Sequence, residues 1–259
     1  MDLRTAEQSL FDRGRLAFAT AAAAGMAGEF SAFGHQGLLV LLTTAPGLGL
    51  LNLVTGVTQE TAGALPGVAG LFAAAGVPSW SLIGPPAGLD EELRRHGLVP
   101  GPPRPLGLLS LPLRPPPDPG GLRVTEASTP GESALFLDTL AAGYHEGGEL
   151  GRFLRTEHSA PGLRRFLAWD QGRPVAAAAF SRHGTVAVIG GAATLPRARG
   201  RGAQTALLHH RLNRAAEAGA LAAVATAAPG SASARNLARA GFTMVARTGW
   251  AYRTVVQTL

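Results

Sequence analysis

Residues 190–208, GGAATLPRARGRGAQTALL, constrain this chain more than any other stretch. Apolar residues run up to Leu195, and Pro196 stops a strand because it has no amide to donate to a ladder. An arginine and glycine turn follows at once. After it Ala206, Leu207, His210 and Leu212 recur near helical spacing to about residue 218. The stretch therefore predicts a strand, a tight turn and a helix start. The first amides of a helix have no partners within it, so such a junction can seat an anion. Gly200 and Gly202 allow close approach of the backbone, and Arg197, Arg199 and Arg201 place fixed positive charge around it. Glycine-rich turns also close ordinary strand-to-helix junctions, so the surrounding pattern has to decide.

Downstream of residue 121 the pattern is regular. Strand signals at 122–126, helices at 132–144 and 150–157, and strands at 164–169, 175–181 and 185–193 precede the turn. Asp170-Gln171-Gly172 and His183-Gly184 are hairpin signals, which makes the three consecutive strands antiparallel. After the turn helix come a strand at 221–226, a helix at 231–240 and strands at 242–247 and 250–256.

This order, with the turn inside it, resembles the GNAT superfamily of N-acetyltransferases. The turn is similar to that family's acetyl-CoA signature, Gln/Arg-x-x-Gly-x-Gly/Ala, with Arg199, Gly202 and Gln204 in its defined places and Gly200, Arg201 and Ala203 between. Gln204 departs from the pattern, since the family usually has glycine or alanine there. A second cue is residues 229–242, PGSASARNLARAGF, which resembles the helix and Gly-Phe closure that follow the central strands in these enzymes. The resemblance implies acetyl-CoA as cofactor. The backbone of Ala193, Thr194 and Leu195 would hold the pantetheine, and Arg199 to Thr205, that is Arg199, Gly200, Arg201, Gly202, Ala203, Gln204 and Thr205, would hold the pyrophosphate. Asn236 and Arg239 are the helix residues that would reach the cofactor, although Asn236 also reads as a plain exposed helix residue.

In this family an amine attacks the thioester directly, so positioning and proton transfer matter and no covalent nucleophile is needed. The family's frequent tyrosine before the Gly-Phe closure aligns with Leu237, which has no proton to give. The acid role is open. Tyr144, Glu146 and Glu149, with His145, lie between the first two helices, where acceptors bind in the family; the same segment also reads as a polar loop with one anchoring tyrosine.

The first part of the chain reads as a helix at 5–27, strands at 38–44 and 50–57, a helix at 61–75, a strand at 79–83, a helix at 89–96 and a strand at 106–113. No glycine-rich phosphate turn appears among them. The expected architecture is thus α/β (α+β): a GNAT-like mixed, mostly antiparallel sheet flanked by helices over 122–259, in tandem with a smaller degenerate α/β lobe over 1–115. Residues 116–121, PPDPGG, cannot be helix and read as a linker. The first lobe is expected to bind no cofactor and to cover the acceptor side of the second.

Charge supports that division. Residues 1–115 hold 7 arginines against 8 acids, a net of −1, whereas 116–259 hold 16 against 9, a net of +7. The basic half is the half with the turn, which suits a pyrophosphate and a 3′-phosphate. Nucleic acid would suit the field too, but arginines are not interleaved with aromatics and no nucleic-acid motif is present. With 0 cysteines there are no disulfides, thiolate ligands or cysteine nucleophile. The seven histidines show no metal spacing. The opening residues lack a secretory pattern, and the uncharged stretch 37–58 is broken by Ala45-Pro46-Gly47, so a cytoplasmic enzyme without membrane contact is expected. The function expected is acetyl transfer to an amine of a small molecule or peptide; a non-catalytic acyl-CoA sensor and an arginine-rich nucleic-acid binder are the alternatives.

Overall fold

The computed structural model describes residues 1–111 and 122–253; the expected linker and the ends of the strands expected at 106–113 and 250–256 lie outside them. Helix α1 (Leu3–Ala23) starts where the Asp2 carboxylate accepts from the Thr5 amide at 2.7 Å. Strands β1 (Phe30–His35), β2 (Leu38–Thr43) and β3 (Leu53–Thr55) follow, and β2 and β3 are antiparallel across the Pro46-Gly47 turn. The uncharged stretch is therefore a pair of strands, and among the described residues no helix is long and apolar enough to cross a membrane. Pro66 starts α2 (Leu65–Ala74) rather than kinking it, because its missing amide costs nothing in a first turn. β4 (Ser79–Ile83), α3 (Asp90–Arg95), β5 (Leu98–Gly101) and β6 (Leu106–Ser110) complete this part.

Then come β7 (Arg123–Glu126), α4 (Pro130–Tyr144), α5 (Gly148–Ser159), β8 (Arg164–Asp170), β9 (Arg173–His183) and β10 (Val186–Thr194). Thr129 and Glu132 cap α4 reciprocally, each side chain meeting the other's backbone amide. The chain ends with α6 (Ala203–Glu217), β11 (Ala222–Thr226), α7 (Ala232–Arg239), β12 (Thr243–Val245) and β13 (Gly249–Arg253).

Two sheets result, with orders β1-β2-β3-β4-β13-β5 and β12-β6-β11-β10-β9-β8-β7. Only the β3–β4 and β10–β11 pairs are parallel among the described residues, so the sheets are mixed and mostly antiparallel, flanked by helices, as expected. The sheets do not divide where the sequence reading divides the chain. β6, read as part of the first lobe, sits between β11 and β12 of the second sheet; β13, read as part of the second, sits between β4 and β5 of the first. Strand signals report an apolar run and leave its partner open, since pairing is non-local.

β9 runs through the middle of the second sheet, and its Ala176 to Ala179 are buried. On one face α6 and α7 pack Leu207, Leu212 and Leu237 over Phe166 and Phe180; on the other α4 packs Phe136 and Leu140 over Leu167. The two lobes share a further core in which Phe153 of α5 meets Phe18 of α1 and Phe30 of β1, each ring centroid 6.2 Å away. Burying Phe153 is worth about 1.5–3 kcal/mol, and its aromatic contacts add about 0.5–1.5 kcal/mol. Arg13 on α1 also pairs with Glu157 on α5 at 2.7 Å, and the two lobes hold together through α1.

Candidate functional site

β10 and β11 pair only at Val186 to Val188 against Ala222 to Val224. Beyond those residues the parallel neighbours part. A bulge helps to open the gap: β10 pairs with β9 at Gly190 and again at Ala193, and Gly191 between them takes φ +58°. A cleft of about 900 Å³ lies along the parted strands, within the range usual for ligand sites.

At its mouth is the arginine and glycine turn. The Leu195 amide donates to Val175, a short turn spans Pro196–Ala198, and Gly200 and Gly202 take φ +77° and +81°. Gly202 caps α6, whose first internal bond runs from the Ala206 amide to the Gly202 carbonyl at 3.0 Å. The amides of Ala203, Gln204 and Thr205 keep no backbone partner among the described residues and open on the cleft. Gln204, the departure from the family signature, donates to the Thr194 hydroxyl at 2.9 Å and ties the turn to the end of β10.

Of the expected cofactor residues, Ala193, Thr194, Arg199, Gly200 and Gly202 line the cleft, as do Ala203, Gln204 and Thr205. Asn236 and Arg239 line its far side and bond to each other. Leu195 and Arg201 do not line it. Arg201 turns out to Asp170 in the β8–β9 hairpin, at 2.7 Å. Among the candidates for proton transfer, Tyr144 lines the cleft, whereas Glu146 and Glu149 do not; Glu149 pairs with Arg152 at 2.8 Å on the surface of α5. Leu237 is buried at the cleft edge. The Tyr144 hydroxyl is held above its ordinary range, first by burial and then by the charge of Glu157, so it keeps its proton at neutral pH.

Two groups beside the bulge escaped the sequence reading. Arg211 on α6 is buried: Nε donates to Leu207 at 3.2 Å, and Nη1 donates to Ala179 at 3.0 Å and Gly190 at 3.1 Å. It donates to the carbonyls of the strand pair Ala179 and Gly190, the last pair before the bulge. Burial pushes it down to about 10, so it stays a cation beside the cleft. The clue was its place in the apolar register of α6, four residues after Leu207, where a surface arginine does not belong. His158, at the end of α5, is 2 % exposed, with Nδ1 on the Leu154 carbonyl at 2.8 Å and Nε2 without a partner. Its ring fills the space beside Gly191: a Cβ there would lie 1.9 Å from Nε2. Gly143 is equally close, since a Cβ on it would lie 2.6 Å from the Ala193 side chain, and this lets α4 press against β10.

Burial holds His158, His183, His209 and His210 below their ordinary value of 6.5. The unfolded chain takes up protons at these positions first, so stability present above 6.5 is lost as the pH falls below it. Thermal melts of the ligand-free protein from pH 7.5 to 5 should show Tm falling below about pH 6.5. A flat profile would contradict the burial of these rings.

Residues 134–242 match the model of the Acetyltransferase (GNAT) family. No curated protein matches the sequence. Among solved structures, the chain is similar to a GCN5-related N-acetyltransferase from Kribbella flavida, with TM-score 0.66 and 22% identity over 92% of this chain and 95% of that one. It is also similar to a tandem GNAT protein from the clavulanic acid biosynthesis pathway, with TM-score 0.56 and 16% identity over 93% and 95%. A third is a GNAT-family acetyltransferase of Novosphingobium aromaticivorans, with TM-score 0.52 and 18% identity over 90% and 94%. The matched segment holds the bulged strand, the turn with its free amides and the α7 helix, and over that segment the chain is similar to the GNAT acetyltransferase family.

Proposed function

We propose that the protein is an N-acetyltransferase that takes acetyl-CoA into the cleft between β10 and β11. The observation that carries this reading is the continuity of one cleft from the unpartnered amides of α6 to the parted strands. In this reading the amides of Ala203, Gln204 and Thr205, with Gly200 and Gly202 beside them, hold the pyrophosphate, and Arg199 adds charge. The backbone of Ala193, Thr194 and Leu195 guides the pantetheine, with Asn236 and Arg239 opposite.

Acetyl-CoA supplies an activated thioester: the amine's C–N bond forms, the C–S bond breaks, the amine gives up a proton and the departing sulfur takes one. Tyr144 is the residue in place to give that proton, because it lines the cleft and burial keeps it protonated. The amine's proton leaves through water. The acceptor is a small-molecule or peptide amine, and the cytoplasm is the compartment that supplies acetyl-CoA.

Saturation with CoA is the direct test. At about 100 times the dissociation constant it should stabilise the fold by roughly 2.7 kcal/mol, a Tm rise of several degrees. No shift at millimolar CoA would sink the proposal. A shift without turnover on any amine would instead favour an acyl-CoA-binding protein, the reading that Leu237 in the tyrosine's place supports.

A further inference from the structure

A second cavity of about 610 Å³ lies between the lobes. One wall belongs to the first lobe, with Leu39 and Leu41 on β2, Leu53 on β3 and Leu10 on α1; the other is Thr226 to Ala228, which also lines the cofactor cleft. The two spaces thus share a wall at the end of β11. The lining is mostly apolar, and its charged members are Glu7, Arg104 and Arg247. Glu7 is buried, and its one contact with Arg247 runs from Oε1 to Nη1 at 3.3 Å. Arg247 is shared with the Arg104 carbonyl, to which Nε donates at 3.0 Å. Oε2 of Glu7 has no hydrogen bond among the described residues. A carboxylate taken out of water with one long contact gains more from a cation than an exposed one does.

We infer that this cavity seats the acceptor, and that the acceptor is a small primary amine on an apolar skeleton with Glu7 as the counter-charge for its ammonium. The inference rests on the acetyltransferase reading above. Leucines of β2 and β3 hold the apolar body; the shared wall brings the nitrogen to the cleft. A flexible polycation fits poorly, because each further charge would be buried against leucine without a partner. Burial raises the Glu7 carboxyl above its ordinary value in spite of Arg247, so a cation placed at Oε2 would favour its charged form.

The experiment uses the full chain, acetyl-CoA and four probes: hexylamine, 2-phenylethylamine, spermidine and a lysine-containing peptide, with release of the CoA thiol as readout. The two apolar amines should have the higher kcat/KM. Leu39→Trp, which fills the cavity, should lower it at least tenfold for them while the thermal shift with CoA is unchanged. Glu7→Gln should raise KM for the amines more than it lowers kcat. Preference for spermidine or the peptide, or unchanged kinetics in both variants, would overturn the inference. If no probe turns over, calorimetry of hexylamine with the CoA-loaded protein decides: binding lost in Leu39→Trp or Glu7→Gln supports it, and no binding to the parent overturns it. Failure of CoA itself to shift the melt would mark failure of the acetyltransferase reading.

Discussion

Gly202→Asp is expected to abolish CoA binding while leaving the fold in place. A Cβ at this position meets nothing within 4 Å, so the side chain itself fits and projects into free space at the cap of α6. The left-handed backbone, φ +81°, costs about 1 kcal/mol, and aspartate is among the side chains that tolerate it best. The charge does the damage. A carboxylate about 4 Å from a phosphate oxygen is opposed by about 4 kcal/mol at the polarity of a protein surface, so a hundredfold loss, about 2.7 kcal/mol, is a lower bound. Gly202→Ala carries at least that backbone cost without the charge and should keep most of the affinity. Arg201→Ala removes a residue already engaged with Asp170 and should weaken binding only mildly, more at low salt than at high. Equal affinity of Gly202→Asp and the parent, by calorimetry, would make the loop a structural turn and nothing more.

Gly191→Ala should cost the most stability of any single methyl added to the cleft. The new Cβ would lie 1.9 Å from His158 Nε2 and 2.4 Å from its Cδ2, and that ring is buried and bonded to Leu154. Neither side can give without moving the end of α5. The left-handed φ adds about 1–2 kcal/mol and the overpacking about 1–3 kcal/mol, together near 3 kcal/mol, or a fall in Tm of roughly 6–12 °C. His158→Ala in the same chain should relieve the steric part, so the two changes should couple by at least about 1 kcal/mol in a double-mutant cycle. Additivity would show that the ring and the bulge are independent.

Local signals made much of the second sheet legible. The hairpins turn through positive φ at Gly172 and Gly184, which glycine allows without steric cost, and they placed three consecutive antiparallel strands. The turn at Gly200 and Gly202 was legible for the same reason. β1 and β5 were not, because β1 is only half-buried with no apolar run and β5 carries Pro100. Arg201 pointed elsewhere because a nearby hairpin offered it Asp170, a contact that no spacing encodes. Arg211 stood in the apolar register of α6, but the carbonyls that accept from it belong to Ala179 on β9 and Gly190 on β10, which no spacing within α6 encodes. His158 had no local sign at all, since its role depends on Gly191, 33 residues away in the sequence.

The exchange of β6 and β13 also orders events during synthesis. β13, at Gly249–Arg253, occupies the slot between β4 and β5, and it is made after every other strand of that sheet. The first lobe therefore leaves the ribosome with a gap inside its sheet, two unpaired edges facing one another across the width of a strand. β6 waits likewise for β11 and β12, more than a hundred residues downstream. Neither sheet can be finished before the other is nearly complete, so the halves mature together as one late cooperative step and cannot fold as two beads on a string.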